Sequence, residues 1–323
     1  MEIKSLSFSH DNSKLTLSCD RGFAVYSLNP PTLINKSTFQ GQATNLAQAV
    51  PDSQTVVFSG TKDQSSFKDT SVCAFDYQQQ RINLEIECAD PIKKIVSTAH
   101  YFAVTSNTKM KLYRYNPPSL VLQHVFAKNE HAPVDIIELS DVNIRVALCG
   151  NKSNGELKIT SYPSVQNDEI VINAANHPLS AIKFCNVKQY LSKSAENKDA
   201  GPLIATASAH GTLIRIFDSK SGAQIRELRR GSFSAHIYSL SFAQKNQFIA
   251  AYSSTGTIHI FDLVNESARS VIVAKMEAEE GIISFIDNQK LALVTKSGKL
   301  QILNVHLDIY TIEKGNVISL QQL

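Results

Sequence analysis

One pattern recurs along this chain: an alternating apolar strand, a polar turn, a strand of small residues, a glycine-bearing turn, and a strand that ends in an aromatic. Three copies are clear. Leu6–Asn12 leads to Lys14–Cys19 and Gly22–Tyr26; Ile182–Phe184 leads, after a polar insertion, to Leu203–Ser208 and Gly211–Asp218; Leu240–Phe242 leads to Phe248–Ser254 and Gly256–Asp262. Weaker copies at Leu46–Asp76, Ile92–Tyr115, Val134–Ile159 and Ile283–Leu303 fill the gaps, which gives seven units of about 46 residues in a chain of 323. That spacing lies beside the roughly 40 to 45 residues of a propeller blade. Each unit must bury both faces against neighbours, so the pattern predicts an all-β, seven-bladed β-propeller with WD40-like but divergent repeats, as a single domain over residues 1–323. Helical periodicity is absent and the strands carry Val, Ile, Phe and Thr, which disfavours an α/β reading. The chain has no Trp, and Phe-Asp at 75–76, 217–218 and 261–262 stands where the common repeat ends in Trp-Asp. The polar run Gln189–Pro202 reads as an enlarged surface loop of the fifth unit.

With 43% hydrophobic and 19% charged residues the chain is globular, and a net charge of +3 is too balanced to predict nucleic-acid binding, so any anion site is a local concentration of charge. Five widely spread cysteines without a Cys-x-x-Cys pair read as reduced core residues. No basic leader precedes an apolar core at the N-terminus, and no stretch approaches the roughly 20 apolar residues that span a bilayer. A cytoplasmic protein with peripheral membrane contact is the expectation. No Gly-x-Ser-x-Gly elbow, His-Glu-x-x-His, phosphate loop or Cys-x5-Arg signature is present, and the histidines are scattered singly, so neither an enzyme nor a metal or cofactor site is expected.

The sharpest local feature is Ile225–Ser232, with the adjacent pair Arg229 and Arg230. On an extended strand consecutive side chains point to opposite faces, so the pair would diverge into two separate anion pockets. Guanidinium suits phosphate because its planar fork of donors matches two oxygens and it keeps its charge. Gly231 would let the chain turn sharply after the pair. The competing reading is an ordinary solvated basic face.

The stretch Leu203–Asp218, followed by Glu227-Leu-Arg-Arg-Gly and Ile237–Phe242, resembles the PROPPIN family, the phosphoinositide-binding WD-repeat propellers of autophagy; Leu228–Gly231 matches that family's Phe/Leu-Arg-Arg-Gly signature. Leu6–Asn12 with Gly22–Tyr26 is similar to the family's first blade, so the resemblance runs along essentially the whole chain and is densest between Leu203 and Asp262.

The resemblance implies a non-enzymatic adaptor with two lipid pockets at the rim of blades 5 and 6, for phosphatidylinositol 3-phosphate and phosphatidylinositol 3,5-bisphosphate. By motif match the first would use Arg229 with Arg215, Ser208, Thr212 and His177, and the second Arg230 with Ser253, Ser254, Thr257 and His259. Arg215 lies between two isoleucines and reads equally as an exposed strand arginine; His259 lies between two others and reads as structural or as a ligand whose protonation at mildly acid pH strengthens phosphate attraction. The hydroxyls flank glycine turns and also serve as turn residues, and Asn176-His-Pro178 reads as a turn as well. Two pockets on one edge imply bivalent docking, with avidity about 100-fold or more above a single site. The resemblance further implies peripheral association with preautophagosomal, endosomal or vacuolar membranes, where other autophagy proteins are recruited, in the family through blades 2 and 3; Lys62–Asp69 is an exposed-loop candidate in blade 2. The family's membrane-inserting loop corresponds here to Leu263–Ser270, which is short and lacks an aromatic, so insertion is not carried over. The rival to the lipid reading is a generic WD-repeat protein-binding scaffold, which leaves the arginine pair unexplained.

Overall fold

The computed structural model describes residues 2–62, 66–152, 155–164, 168–185, 201–243 and 247–320. Among them, twenty-eight strands form seven four-stranded sheets, each with its strands side by side in chain order, and the fold is a seven-bladed β-propeller. The first three strands of each sheet are the repeat read from the sequence. The fourth is a strand the repeat did not contain, such as Arg81–Glu87 or Gln224–Arg229, mostly exposed and therefore poor in apolar signal. A bulge precedes the aromatic of the third strand in four blades, at Tyr26, Phe75, Tyr113 and Phe217, and adds local twist where the outer strand pairs.

The chain forms two compact units, one of Met1–Val125 with Val294–Leu300 and Val317–Leu323, the other of Phe126–Leu293 with Gln301–Asn316. In the first, Phe23, Phe58 and Phe75 of blades 1 and 2 pack with Val25, Ala47 and Val56. Phe67, within the expected exposed loop Lys62–Asp69, instead packs edge-on against Phe39 and Phe58 with ring centroids 5.1 Å apart; residues 63–65 lie outside the described residues. In the second, Leu203, Ala205, Ile214, Ile216 and Leu228 of blade 5 close against Ile237, Leu240, Ile249 and Phe261 of blade 6. Ala205 and Ala207 of blade 5 and Ala251 of blade 6 put small side chains into this core.

Polar side chains join successive blades through backbone amides. Phe184 N donates to Asp135 Oδ2 at 2.7 Å, and Phe285 N to Ser241 Oγ at 2.9 Å, in the second unit; Ser97 N donates to Gln48 Oε1 at 2.6 Å in the first. Each removes an unpaired buried donor. The insertion expected at Gln189–Pro202 falls mostly outside the described residues, but its last two residues correct the reading: Gly201 and Pro202 are buried, and Gly201 N donates to Asp218 Oδ2 at 2.7 Å. None of the five cysteines forms a disulfide, and burial pushes the Cys73 thiol up to about 12. No helix among the described residues is long and apolar enough to cross a membrane.

Candidate anion-binding site

The outer strand of blade 5, Gln224–Arg229, pairs with the third strand, Leu213–Asp218, so that Arg229 faces Leu213 and Glu227 faces Arg215. Residue parity then assigns the faces. Ile214, Ile216 and Leu228 point into the core shared with blade 6, so Arg215 and Arg229, on the alternate positions, take the side toward blade 4. Ser208, which alternates with buried Ala205 and Ala207, takes that side too. Arg230 follows the parity of Leu228 toward blade 6. In blade 6, Ser253 alternates in step with Ile249 and Ala251, and Thr257 and His259 in step with Phe261, which places all three on the side facing blade 5. The adjacent arginines thus face opposite sides of the blade.

On the blade 4 side, Arg229 is exposed and its guanidinium makes no ion pair among the described residues, whereas Arg215 is engaged: its Nε reaches Glu227 Oε2 at 2.9 Å and its Nη1 donates to Ala174 O at 2.9 Å. His177 is exposed and stacks on His210 with centroids 5.1 Å apart. Thr212 adjoins the site through its carbonyl, which accepts the Arg230 N–H at 2.9 Å.

On the blade 6 side, Arg230 is 8% exposed. Its Nε donates to Gly211 O at 2.9 Å and its Nη2 to Phe233 O at 2.6 Å, both neutral acceptors. Among the described residues no carboxylate pairs with it, and burial disfavours its charge. His259 stands beside it, its Nδ1 3.2 Å from Ser270 Oγ. Burial, and then the Arg230 charge, depress His259 to about 4, so without a bound anion the ring is neutral at mildly acid pH. The hydroxyls of Ser253, Thr255 and Thr257 form a triangle with 2.9 Å sides. Ser254 serves its own blade: its Oγ accepts the His236 N–H at 3.1 Å, and its N–H donates to His236 O at 2.8 Å.

Four neighbours escaped the sequence reading: His210, Thr255, Ser270 and Arg269. The last belongs to the short connection after Asp262, which is docked along the outer strand of blade 5, with Arg229 N donating to Ala268 O at 2.7 Å and Arg229 bridging to Arg269. Only the fold brings that segment to the arginine pair. Histidines scattered along the sequence also meet in space, as His177 with His210 and as His131 with His236, stacked at 5.0 Å. Gly231 departs from its expected role: its φ is not positive, and an added Cβ would meet no atom within 4 Å.

Seven four-stranded blades, with a Leu-Arg-Arg-Gly segment splitting its arginines across the rim of blade 5, define a WD40-like β-propeller with a paired cationic rim. Residues 132–276 match the PROPPIN family model. The chain is 33% identical over 194 residues to autophagy-related protein 18 of Komagataella pastoris, covering 59% of this chain and 32% of that protein. It is 24% identical over 282 residues to SVP1-like protein 2 of Saccharomyces cerevisiae, covering 80% and 62%. Hsv2 of Kluyveromyces marxianus superposes with a TM-score of 0.79 at 19% identity over 99% of both chains, and Atg21 of a solved complex with an Atg16 coiled coil with a TM-score of 0.76 at 16% identity. The family model over residues 132–276, these relatives and these structures together support a PROPPIN family member. It spans less than two thirds of the length of these curated relatives.

Proposed function

We propose that this chain is a phosphoinositide-binding, non-enzymatic adaptor that recognises phosphatidylinositol 3-phosphate and phosphatidylinositol 3,5-bisphosphate and recruits autophagy proteins to preautophagosomal, endosomal or vacuolar membranes. The observation that carries the reading is Arg230: a guanidinium held at 8% exposure with two carbonyl partners and, among the described residues, no carboxylate. A buried cation without a counter-charge is costly, and two engaged N–H groups leave three of its five donors for an anion. A lipid phosphate satisfies them with charge-assisted bonds.

In this reading the second site consists of Arg230, His259, Ser253 and Thr257, with Ser254 fixing the turn that carries them. The first consists of Arg229, Arg215, Ser208, Thr212 and His177, and there a head group competes with Glu227 for Arg215. Two weak sites on one edge act together, because occupancy of one raises the effective concentration at the other. The Atg16 coiled coil in the solved Atg21 complex supports a coiled-coil autophagy protein as the partner class.

The test is vesicle co-sedimentation of wild type and Arg229→Thr/Arg230→Thr protein, with and without phosphatidylinositol 3-phosphate, at physiological salt to suppress non-specific attraction. Wild type alone sediments, and only with phosphoinositide vesicles; equal behaviour of the two proteins overturns the reading in favour of a protein-only scaffold.

A further inference from the structure

Phe233 is 86% exposed, the most exposed of the large apolar side chains among the described residues. It lies three residues beyond Arg230 in the connection from blade 5 to blade 6, and that connection is braced throughout. Arg230 N donates to Thr212 O at 2.9 Å, Ser234 Oγ to His210 O at 3.0 Å, and Ala235 N to His210 O at 3.2 Å. The Phe233 carbonyl itself accepts from Arg230 Nη2 at 2.6 Å. The benzyl group is therefore held out by a loop whose backbone is tied down on both sides of it.

A lone exposed apolar side chain is ordinary on a protein surface, but three features distinguish this one. The guanidinium proposed to grip the head group bonds directly to the Phe233 carbonyl, so a lipid phosphate at Arg230 sets this residue at head-group depth. Arg229, next to Arg230 in the chain, and Arg269, bridged to Arg229, are both exposed and, among the described residues, without an ion-pair partner, and they add positive charge suited to an anionic surface. Gly231, between the arginines and Phe233, faces open space in which a Cβ would meet nothing, so the protein leaves this approach clear.

We propose that Phe233 is a membrane wedge: with a phosphoinositide head group on Arg230, its ring enters the interface between lipid head groups and acyl chains. Phe, Leu and Trp side chains of peripherally bound segments reach that boundary. The inference rests on the phosphoinositide reading above and adds a hydrophobic contact to it. It also supplies from the blade 5 to blade 6 connection an apolar anchor that Leu263–Ser270, without an aromatic, does not carry.

The chain contains no tryptophan, so Phe233→Trp creates a single fluorescent reporter at the proposed depth. On phosphatidylcholine vesicles containing phosphatidylinositol 3-phosphate its emission is expected to shift to the blue and to be quenched by brominated acyl chains. Soluble inositol 1,3-bisphosphate is expected to leave the emission unchanged. Phe233→Ser is expected to lose about tenfold in affinity for the same vesicles, the order given by partial burial of one aromatic side chain. Co-sedimentation of the Trp variant with unshifted, unquenched emission overturns the wedge while the lipid reading stands, as does a Ser variant that sediments like wild type. If wild type binds neither the soluble head group nor the vesicles, the phosphoinositide reading itself fails and the wedge with it. Binding of a phosphopeptide, with no response to vesicles, assigns the surface to protein recognition and also overturns the wedge.

Discussion

At the scale of single residues, Glu227 opposes the first site that its neighbours suit. It holds Arg215 through the 2.9 Å ion pair, and its own charge repels an incoming phosphate. Glu227→Gln is therefore expected to tighten binding of phosphatidylinositol 3-phosphate vesicles a few-fold, since an exposed pair stabilises the fold by at most about 1 kcal/mol and little is lost by releasing it. An unchanged or weaker affinity, measured by vesicle titration, removes Arg215 from the site. His259 gives a pH signature. Its folded value of about 4, below the ordinary 6.5, means that the unfolded chain takes up this proton and the native state does not, so native stability present above pH 6.5 is lost as pH falls toward 4. A bound phosphate reverses the preference by favouring imidazolium. The affinity advantage of wild type over His259→Gln is expected to grow as pH falls from neutrality toward 5, and the comparison cancels the titration of the lipid itself; a constant ratio across that range places His259 outside the site.

At the scale of elements, the turn before the third strand of blade 5 supports the site mechanically. Gly211 has φ +65°, and a Cβ there would run into the Ala235 carbonyl of the loop that displays Phe233. Its own carbonyl accepts from Arg230 Nε. Gly211→Ala is expected to cost about 2 kcal/mol or more through backbone strain and displacement of that loop, and to weaken vesicle binding along with thermal stability. Asp135 joins blade 4 to blade 5 through Phe184 N, and Lys183 lies 3.5 Å from the same oxygen. Asp135→Ala leaves a buried donor and a partly buried cation without their acceptor, a loss of about 2–4 kcal/mol that calorimetry reads as a Tm lower by several degrees. These two elements also show where sequence legibility ends. The glycine turns were readable because only one residue type fits them, and the three inner strands because burial on both faces leaves dense apolar runs. The outer strands, half exposed, carried too few apolar residues to register, and Asp135 looked like any strand acid because its partner lies 49 positions away.

At the scale of the molecule, the count of repeats made the propeller legible, and the strand parity of Arg229 and Arg230 made the division of the site legible. What sequence alone did not show was which neighbours are free. Arg215 is tied to Glu227, Ser254 to His236, and Arg269 arrives from a connection 40 residues further on. Spatial pairing of this kind depends on how blades align, and no local pattern encodes it. If the two grooves act together, vesicle binding is expected to rise more steeply than linearly with the mole fraction of phosphatidylinositol 3-phosphate. Arg229→Thr or Arg230→Thr alone is expected to reduce that dependence to linear, while the double variant abolishes it. A linear response in wild type means that one groove carries the binding. The docked connection after Asp262 has a separate consequence. Outer strands expose unpaired amides and carbonyls that invite another chain to add on, the usual route to edge-to-edge aggregation. At the rim of blade 5 the Ala268 carbonyl takes the amide of Arg229, the last residue of that outer strand, so the edge is covered where the strand ends.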